Sequence, residues 1–190
     1  MARTIRSFIA IKLPDSIIAA IREIQEDIRA NGFNLRWVRP ENIHLTLKFL
    51  GDITEGGIEN VTTAIYNSVK PYAPLSLCAK GIGVFPGIKR PRVVWIGVAG
   101  QIESLIGLQG RLEEALELLG FEKEKRPFKG HLTLGRIKHR IDPKRFGDIL
   151  KKHVGFTSET FYADEVILYK SELKPTGAVY TEIVNVPLGG

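Results

Sequence analysis

Two tetrapeptides in this chain are identical: His44-Leu45-Thr46-Leu47 and His131-Leu132-Thr133-Leu134, 87 positions apart. Residues two apart in a strand point the same way, so each copy places a histidine and a threonine on one face and two leucines on the other. One copy alone would be ordinary, because a strand histidine beside a threonine is usually partly exposed or hydrogen-bonded in a core. Two copies read differently. With four histidines in the chain, a random double match to His-apolar-Thr-apolar has a chance of roughly one in a thousand on average composition.

Two imidazoles and two hydroxyls facing one cleft suit phosphodiester chemistry. One neutral ring accepts a proton while its protonated partner donates one to a poor alkoxide leaving group at phosphorus. Threonine hydroxyls donate to the non-bridging oxygens, where negative charge must be held during attack. Metal hydrolysis is disfavoured because neither motif brings a second His, a Cys or a carboxylate two residues away on its own face; Glu41 has the wrong parity. No G-x-S-x-G elbow and no phosphate-cradling G-x-x-x-x-G-K-[ST] loop occurs. The single Cys78 has no neighbouring histidine and reads as a buried apolar residue.

The elements that must hold these residues follow from periodicity. Residues 4–13 read as a strand stopped by Pro14, and a helix follows with Asp15 and Ser16 as candidate N-caps. Its apolar stripe is Ile17, Ile18, Ile21, Ile24 and Ile28, and Asn31-Gly32 ends it. A short strand over 35–38 and a turn over 39–42 precede the first motif strand, 43–50. A helix over 58–69, a strand over 74–85 and a Pro/Gly-rich turn over 86–91 complete the first half. The second half repeats this order: a strand over 93–98, a helix with Leu105, Leu108, Leu112, Ala115 and Leu119, a stop at Gly120, and the strand bearing His131. A shift of 87 carries Phe8 to Trp95, and Ile18 and Ile21 to Leu105 and Leu108. A helix over 143–152 and strands over 160–170 and 178–186 close the chain. The expected fold is α+β: one bilobal, duplicated domain over 1–190, with two antiparallel-rich sheets and flanking helices around a central cleft.

The 190 residues are enough for a hydrophobic core without staples, and 44% hydrophobic with 25% charged residues is globular composition. No apolar run reaches the ~18 residues of a membrane span, and the N-terminal apolar stretch is too short for a secretory signal, so a cytoplasmic protein is expected. The net charge of +6, from 27 Lys plus Arg against 21 Asp plus Glu, favours an anionic partner. The tracts Lys89, Arg90, Arg92 and Lys123, Lys125, Arg126, Lys129 are candidates for guiding a phosphate backbone, against the reading of a solvated rim. His139 and His153 lie in charged stretches and are expected at the surface.

The chain resembles the two-histidine phosphoesterases, in their LigT-like RNA 2′,3′-cyclic phosphodiesterase branch, historically called 2′-5′ RNA ligases. The resemblance rests on Arg6-Ser-Phe-Ile-Ala-Ile-Lys-Leu-Pro14, HLTLKFLG at 44–51, Arg92-Val-Val-Trp-Ile-Gly97, and Arg126-Pro-Phe-Lys-Gly-His-Leu-Thr-Leu-Gly-Arg136. Many relatives have His-Pro where this chain has Lys129-Gly130, a departure that leaves the second motif intact. The resemblance implies hydrolysis of a terminal 2′,3′-cyclic phosphate to a 2′-phosphate without a metal or other cofactor, with reversible 2′-5′ joining of RNA ends in many members. It implies that His44 protonates the departing 3′ oxygen, His131 activates water, and Thr46 and Thr133 hold the phosphate oxygens. The near-identity of the two motifs gives no reason of its own for that division. Arg136 resembles an arginine that relatives use near the phosphate, although strict alternation from His131 turns it to the other face unless the strand bends at Gly135. Lys48 shares the parity of His44 and Thr46 and is either a phosphate contact or a solvated edge lysine. Phe128 is a candidate to stack on the terminal base, or simply a packing residue. The expected partner is RNA with a 2′,3′-cyclic phosphate terminus, bound by a monomer. The rival readings are an RNA-binding module without turnover and a phosphodiesterase for 2′-5′-linked oligonucleotides.

Overall fold

The β-branched run at the N-terminus forms β1 (Thr4–Lys12), paired with a strand on either edge and buried from Ser7 to Ile11, because Ile9 and Ile11 face the main core while Phe8 and Ala10 face a second cluster with Ile167, Tyr169 and Tyr180. Pro14 then occupies the cap position of helix α1 (Asp15–Ala30), and no side chain caps that helix end; Asp15 stands in its first turn instead. Ile17, Ile21, Ile24 and Ile28 are buried, while Ile18 is half-exposed. β2 (Arg36–Trp37) and β3 (His44–Thr54) follow, then helix α2 (Ile58–Val69), β4 (Leu75–Phe85) and β5 (Val93–Gly100). Helix α3 (Ile102–Glu117) buries Leu105, Leu108, Leu112 and Leu116. The expected Leu119 lies beyond its end, 42% exposed, because the helix stops at Glu117 and the chain turns over 118–120 before the period reaches it. β6 (His131–Arg136), α4 (Pro143–Lys152), β7 (Phe161–Ala163), β8 (Glu165–Lys174) and β9 (Gly177–Pro187) complete the chain. This computed structural model describes residues 3–175 and 177–189; Met1 and Ala2, at the start of the segment read for a leader, lie outside the described residues.

The segment expected as one strand over 160–170 is two, because Asp164 breaks it and the pieces join different neighbours: β7 pairs with β4, and β8 with β1. All pairings are antiparallel, in the order β7-β4-β5-β6-β3-β1-β8-β9, with β2 on the edge of β6. The two expected sheets are thus the two lobes of one surface. They join between β3 and β6 through the single pair Leu45 and Leu132, the residues that follow the two motif histidines.

The duplication is interleaved. A shift near 87 carries α2 onto α4 and β4 onto β8, yet β4 pairs with β5 and β8 pairs with β1. Helices follow the strands: α2 lies against α3, with the Ser68 hydroxyl donating to Arg111 O at 3.4 Å, and α4 lies against α1, where Phe146 meets Phe33 at 4.8 Å. Each lobe therefore takes a β-α-β unit from one half of the sequence and an α-β unit from the other. The repeat is also not rigid at 87. The partner opposite the motif threonine is Ala10 in one lobe and Trp95 in the other, a shift of 85, while the buried helix positions Ile21, Ile24 and Ile28 match Leu105, Leu108 and Leu112, a shift of 84. Loops of unequal length absorb the differences.

Lys48 shows how the motif strand is anchored. It is 4% exposed and points into the core, where its ammonium donates to the Glu113 carboxylate of α3 at 2.6 Å and to the Glu122 carbonyl. Glu113 also accepts from Gln109 Nε2 at 3.0 Å and from the Glu124 backbone N–H at 3.3 Å. One buried ion pair thereby ties β3, α3 and the segment leading to the second motif together. Removing one member of such a pair strands the other charge, so Lys48→Met should lower unfolding free energy by about 3–5 kcal/mol in urea denaturation. Lys48→Met/Glu113→Gln, which removes the orphaned charge and keeps one acceptor oxygen at that position, should recover part of that loss; a single variant as stable as wild type would refute this account.

Candidate functional site

His44 and His131 begin β3 and β6, and in both places the chain turns back just before the strand so that the ring meets its own backbone. The His44 Nδ1–H donates to the Asn42 carbonyl at 2.8 Å, and the His131 Nδ1–H donates to the Lys129 carbonyl at 2.7 Å. A carbonyl can only accept, so Nδ1 carries the proton in both rings and Nε2 remains for chemistry. In the first lobe this loop is itself tied down, since the Asn42 amide donates to Ala178 O of β9 at 2.8 Å. Thr46 and Thr133, both half-buried, share the faces of their histidines, and neither hydroxyl has a hydrogen bond among the described residues. The single Leu45 to Leu132 pair brings the two motif strands side by side.

Beyond the motifs, both strands break alternation at the same place. In β3 the partners of Ala10 and Ile9 are Thr46 and Lys48, which leaves Leu47 as an extra residue; in β6 the partners of Trp95 and Val94 are Thr133 and Gly135, which leaves Leu134 extra. Each bulge moves the following residues to the opposite faces. This corrects the placement expected for Lys48, which is neither a site residue nor a solvated edge. It resolves the parity of Arg136, which is exposed and opposite Val93, on the face of Thr133. It also brings Phe49, opposite Phe8, onto the site face with 64% exposure. Sequence reading missed Phe49 because strict alternation assigns it to the core.

The two histidines differ in their surroundings. His44 stacks on Phe8 at 4.7 Å, meets the edge of Tyr180 at 5.4 Å and has Tyr169 at 6.3 Å. Burial pushes its imidazolium pKa down to about 4, with the Asn42 carbonyl working the other way. Burial also raises the phenols of Tyr169 and Tyr180, and the charges of Arg136 and Arg6 reach Tyr180 and oppose the effect there. A cavity of about 450 Å³ adjoins His44, lined among others by Asn42, Tyr169, Tyr180 and the Lys12–Glu182 ion pair at 2.9 Å. His131 instead meets the edge of Phe85 at 5.1 Å and has Trp95 at 6.5 Å, with the Lys129 ammonium over Trp95 at 4.8 Å. Gly83 lets that indole lie against β4, since a Cβ there would come within 2.3 Å of Trp95.

Phe128 is half-buried, packs on the main core and lines a pocket with Val98, Ile102 and Leu105. His153 is not a free surface residue: its Nε2 bonds Asp27 Oδ2 at 2.8 Å and links α4 to α1. His139 is exposed, and Cys78 is half-buried on β4 opposite Ala99. Among the described residues no three His, Cys, Asp or Glu side chains converge, and no helix is long and apolar enough to cross a membrane.

Comparison with known proteins matches this arrangement throughout the chain. The profile of the family described as LigT like Phosphoesterase matches residues 11–95 and again residues 96–180. A Methanocaldococcus jannaschii protein named RNA 2′,3′-cyclic phosphodiesterase is 35% identical over 178 residues, covering 94% of this chain and 98% of its own length. The Archaeoglobus fulgidus protein of the same name is 36% identical over 181 residues, with 94% and 97% covered. Among solved structures, TT0787 of Thermus thermophilus superposes with a TM-score of 0.77 at 29% identity, covering 97% of this chain and 98% of that one. Escherichia coli LigT complexed with 3′-AMP gives 0.74 at 27% identity, covering 99% and 100%. With two profile matches that fall on the two interleaved halves, and a histidine-threonine pair in each, the chain belongs to the LigT-like phosphoesterase family.

Proposed function

We propose that this protein is an RNA 2′,3′-cyclic phosphodiesterase that opens a terminal 2′,3′-cyclic phosphate to a 2′-phosphate by acid and base catalysis from His44 and His131. The observation that carries this reading is the matched tautomer: both rings hold Nδ1–H on a carbonyl two residues upstream and keep Nε2 for proton transfer. The names of the relatives agree with it.

In this mechanism His131 Nε2 takes a proton from water as the oxygen attacks phosphorus. The bond from phosphorus to the 3′ oxygen breaks, and His44 Nε2–H delivers a proton to that oxygen, leaving the phosphate on the 2′ position. The free hydroxyls of Thr46 and Thr133, with the Arg136 guanidinium, donate to the non-bridging oxygens as charge builds there. If a 5′-hydroxyl replaces water, the same steps form a 2′-5′ linkage, and reversal exchanges the roles of the two rings. The protein works as a monomer on a soluble, cytoplasmic RNA pool.

With chelator present, wild type should convert an oligonucleotide ending in 2′,3′-cyclic phosphate to the 2′-phosphate. His44→Ala and His131→Ala should each lose at least about 10²-fold in kcat, and Thr46→Ala or Thr133→Ala about 10- to 10³-fold. Retained RNA binding without wild-type turnover would make the cleft a binding module, and preference for internal 2′-5′ linkages would change the substrate.

His44 is neutral at pH 7 in the free protein, because its ring is protonated only below about pH 4, so it must take up its Nε2 proton as the substrate phosphate binds before it can act as the acid. A bound phosphate anion favours the imidazolium, so in NMR titrations the His44 ring should move upward from about pH 4 when 2′-AMP is added. A His44 that still titrates near 4 with the nucleotide bound would transfer the acid role to His131 and the base role to His44.

A further inference from the structure

An aromatic ring left 64% exposed on the face that carries the reaction stands out against the closed core behind it. Phe49 reaches that face through the bulge at Leu47, and its ring lies 6.0 Å from Phe8, which in turn stacks on His44 at 4.7 Å. It is therefore one ring removed from a motif imidazole. Arg6 shares the face of Phe8, two residues away on β1, and Arg136 occupies in β6 the position that Phe49 occupies in β3, immediately after the bulge pair. Both guanidiniums are exposed and without an ion pair among the described residues, and both act electrostatically on the Tyr180 phenol. One open face thus offers a bare π-surface with the Arg6 guanidinium on the neighbouring strand, and Arg136 on the motif strand of the other lobe.

Unstacked RNA bases dock on exposed aromatic rings, while guanidiniums take the phosphates between them. We infer that Phe49 is the stacking platform for the nucleobase immediately 5′ of the cyclic end, with Arg6 holding the phosphodiester that joins that nucleotide to the terminal one, while Arg136 stays with the reacting phosphate. This deepens, and rests on, the RNA reading of the same site: it makes the enzyme selective for polynucleotide ends over cyclic mononucleotides. The positions flanking Phe49 fit a ring presented outward, since Lys48 and Leu50 on either side are buried.

The test compares adenosine 2′,3′-cyclic phosphate with the dinucleotide ApA bearing the same cyclic end, using wild type, Phe49→Ala, Phe49→Leu and Phe49→Trp. Phe49→Ala and Phe49→Leu should raise KM for the dinucleotide roughly tenfold with kcat retained, leave the mononucleotide within about twofold, and Phe49→Trp should restore the wild-type KM. Equal effects on both substrates, or none on either, would overturn the assignment. A second readout does not depend on turnover: fluorescence anisotropy of a labelled hexanucleotide ending in a 2′-phosphate should show roughly tenfold weaker binding by Phe49→Ala and Phe49→Leu. If wild type turns over neither substrate, the catalytic reading fails by itself, while unchanged anisotropy across the variants would remove the platform. Thermal melting of each variant checks that Phe49→Ala, which truncates an exposed side chain, keeps the fold.

Discussion

Each motif strand carries an extra residue directly after its threonine, Leu47 in β3 and Leu134 in β6, and the arrangement of the site depends on where that residue sits. A bulge interrupts the ladder and would be free to slip if nothing held its carbonyl. In both lobes a buried glutamine does so. Gln109 of α3, 6% exposed, donates to Leu47 O at 3.4 Å, and Gln25 of α1, 2% exposed, donates to Leu134 O at 3.0 Å and to Val38 O at 2.9 Å. The bonds cross between repeats, each helix serving the motif strand of the other half. Slipping either bulge by one residue would send Phe49 or Arg136 into the core and bring Lys48 or Gly135 to the surface, so the glutamines fix the composition of the face as well as the ladder.

Duplication supplies two near-equal histidines, but acid and base work requires unequal ones. The scaffold makes them equal where geometry matters, through the same Nδ1–H to carbonyl bond, and unequal where protonation matters. His44 sits in a three-ring aromatic enclosure that disfavours its charged form. His131 faces a more open wall with a lysine above the indole. Separating the environments of two like groups is the general way in which a pair acquires two roles. The difference arises from Phe8, Tyr169 and Tyr180, residues outside the motifs altogether.

Much of this was legible in the chain because two signals are local. The paired motifs, the period-2 strands and the apolar helix stripes each depend on near neighbours, and they place His44, His131, Thr46 and Thr133 correctly on strands in an α+β duplicated fold. What failed to show depends on distant contacts. The position of a bulge is set by which residue of the adjacent strand lies opposite, so alternation from His44 misassigned Lys48 and Phe49, and left Arg136 in tension. His153 looked solvated because Asp27 lies 126 positions away. A clue to the crossing bonds was present: Gln25 and Gln109 interrupt the apolar faces of α1 and α3 at matching places, and a polar residue on such a face usually has a buried partner.

The interleaving of the repeats explains how so slight a seam can hold a catalytic pair. If each lobe were one half of the sequence, the lobes would meet at the lone Leu45 to Leu132 pair and could open like a hinge, changing the span between the histidines. Instead β4 and α2 of the first half complete the lobe of His131, and β8 and α4 of the second complete the lobe of His44. The chain crosses from lobe to lobe repeatedly, Gln25 and Gln109 bond across it, and the Lys48–Glu113 pair binds a motif strand of one half to a helix of the other. Separation of the lobes would break buried hydrogen bonds and a buried ion pair at once, each strongly unfavourable when left unpaired. The distance between the two imidazoles is thereby set by the core rather than by the seam, and the open face is free to carry exposed groups, Phe49 and Arg136 among them, that contribute nothing to holding the lobes together.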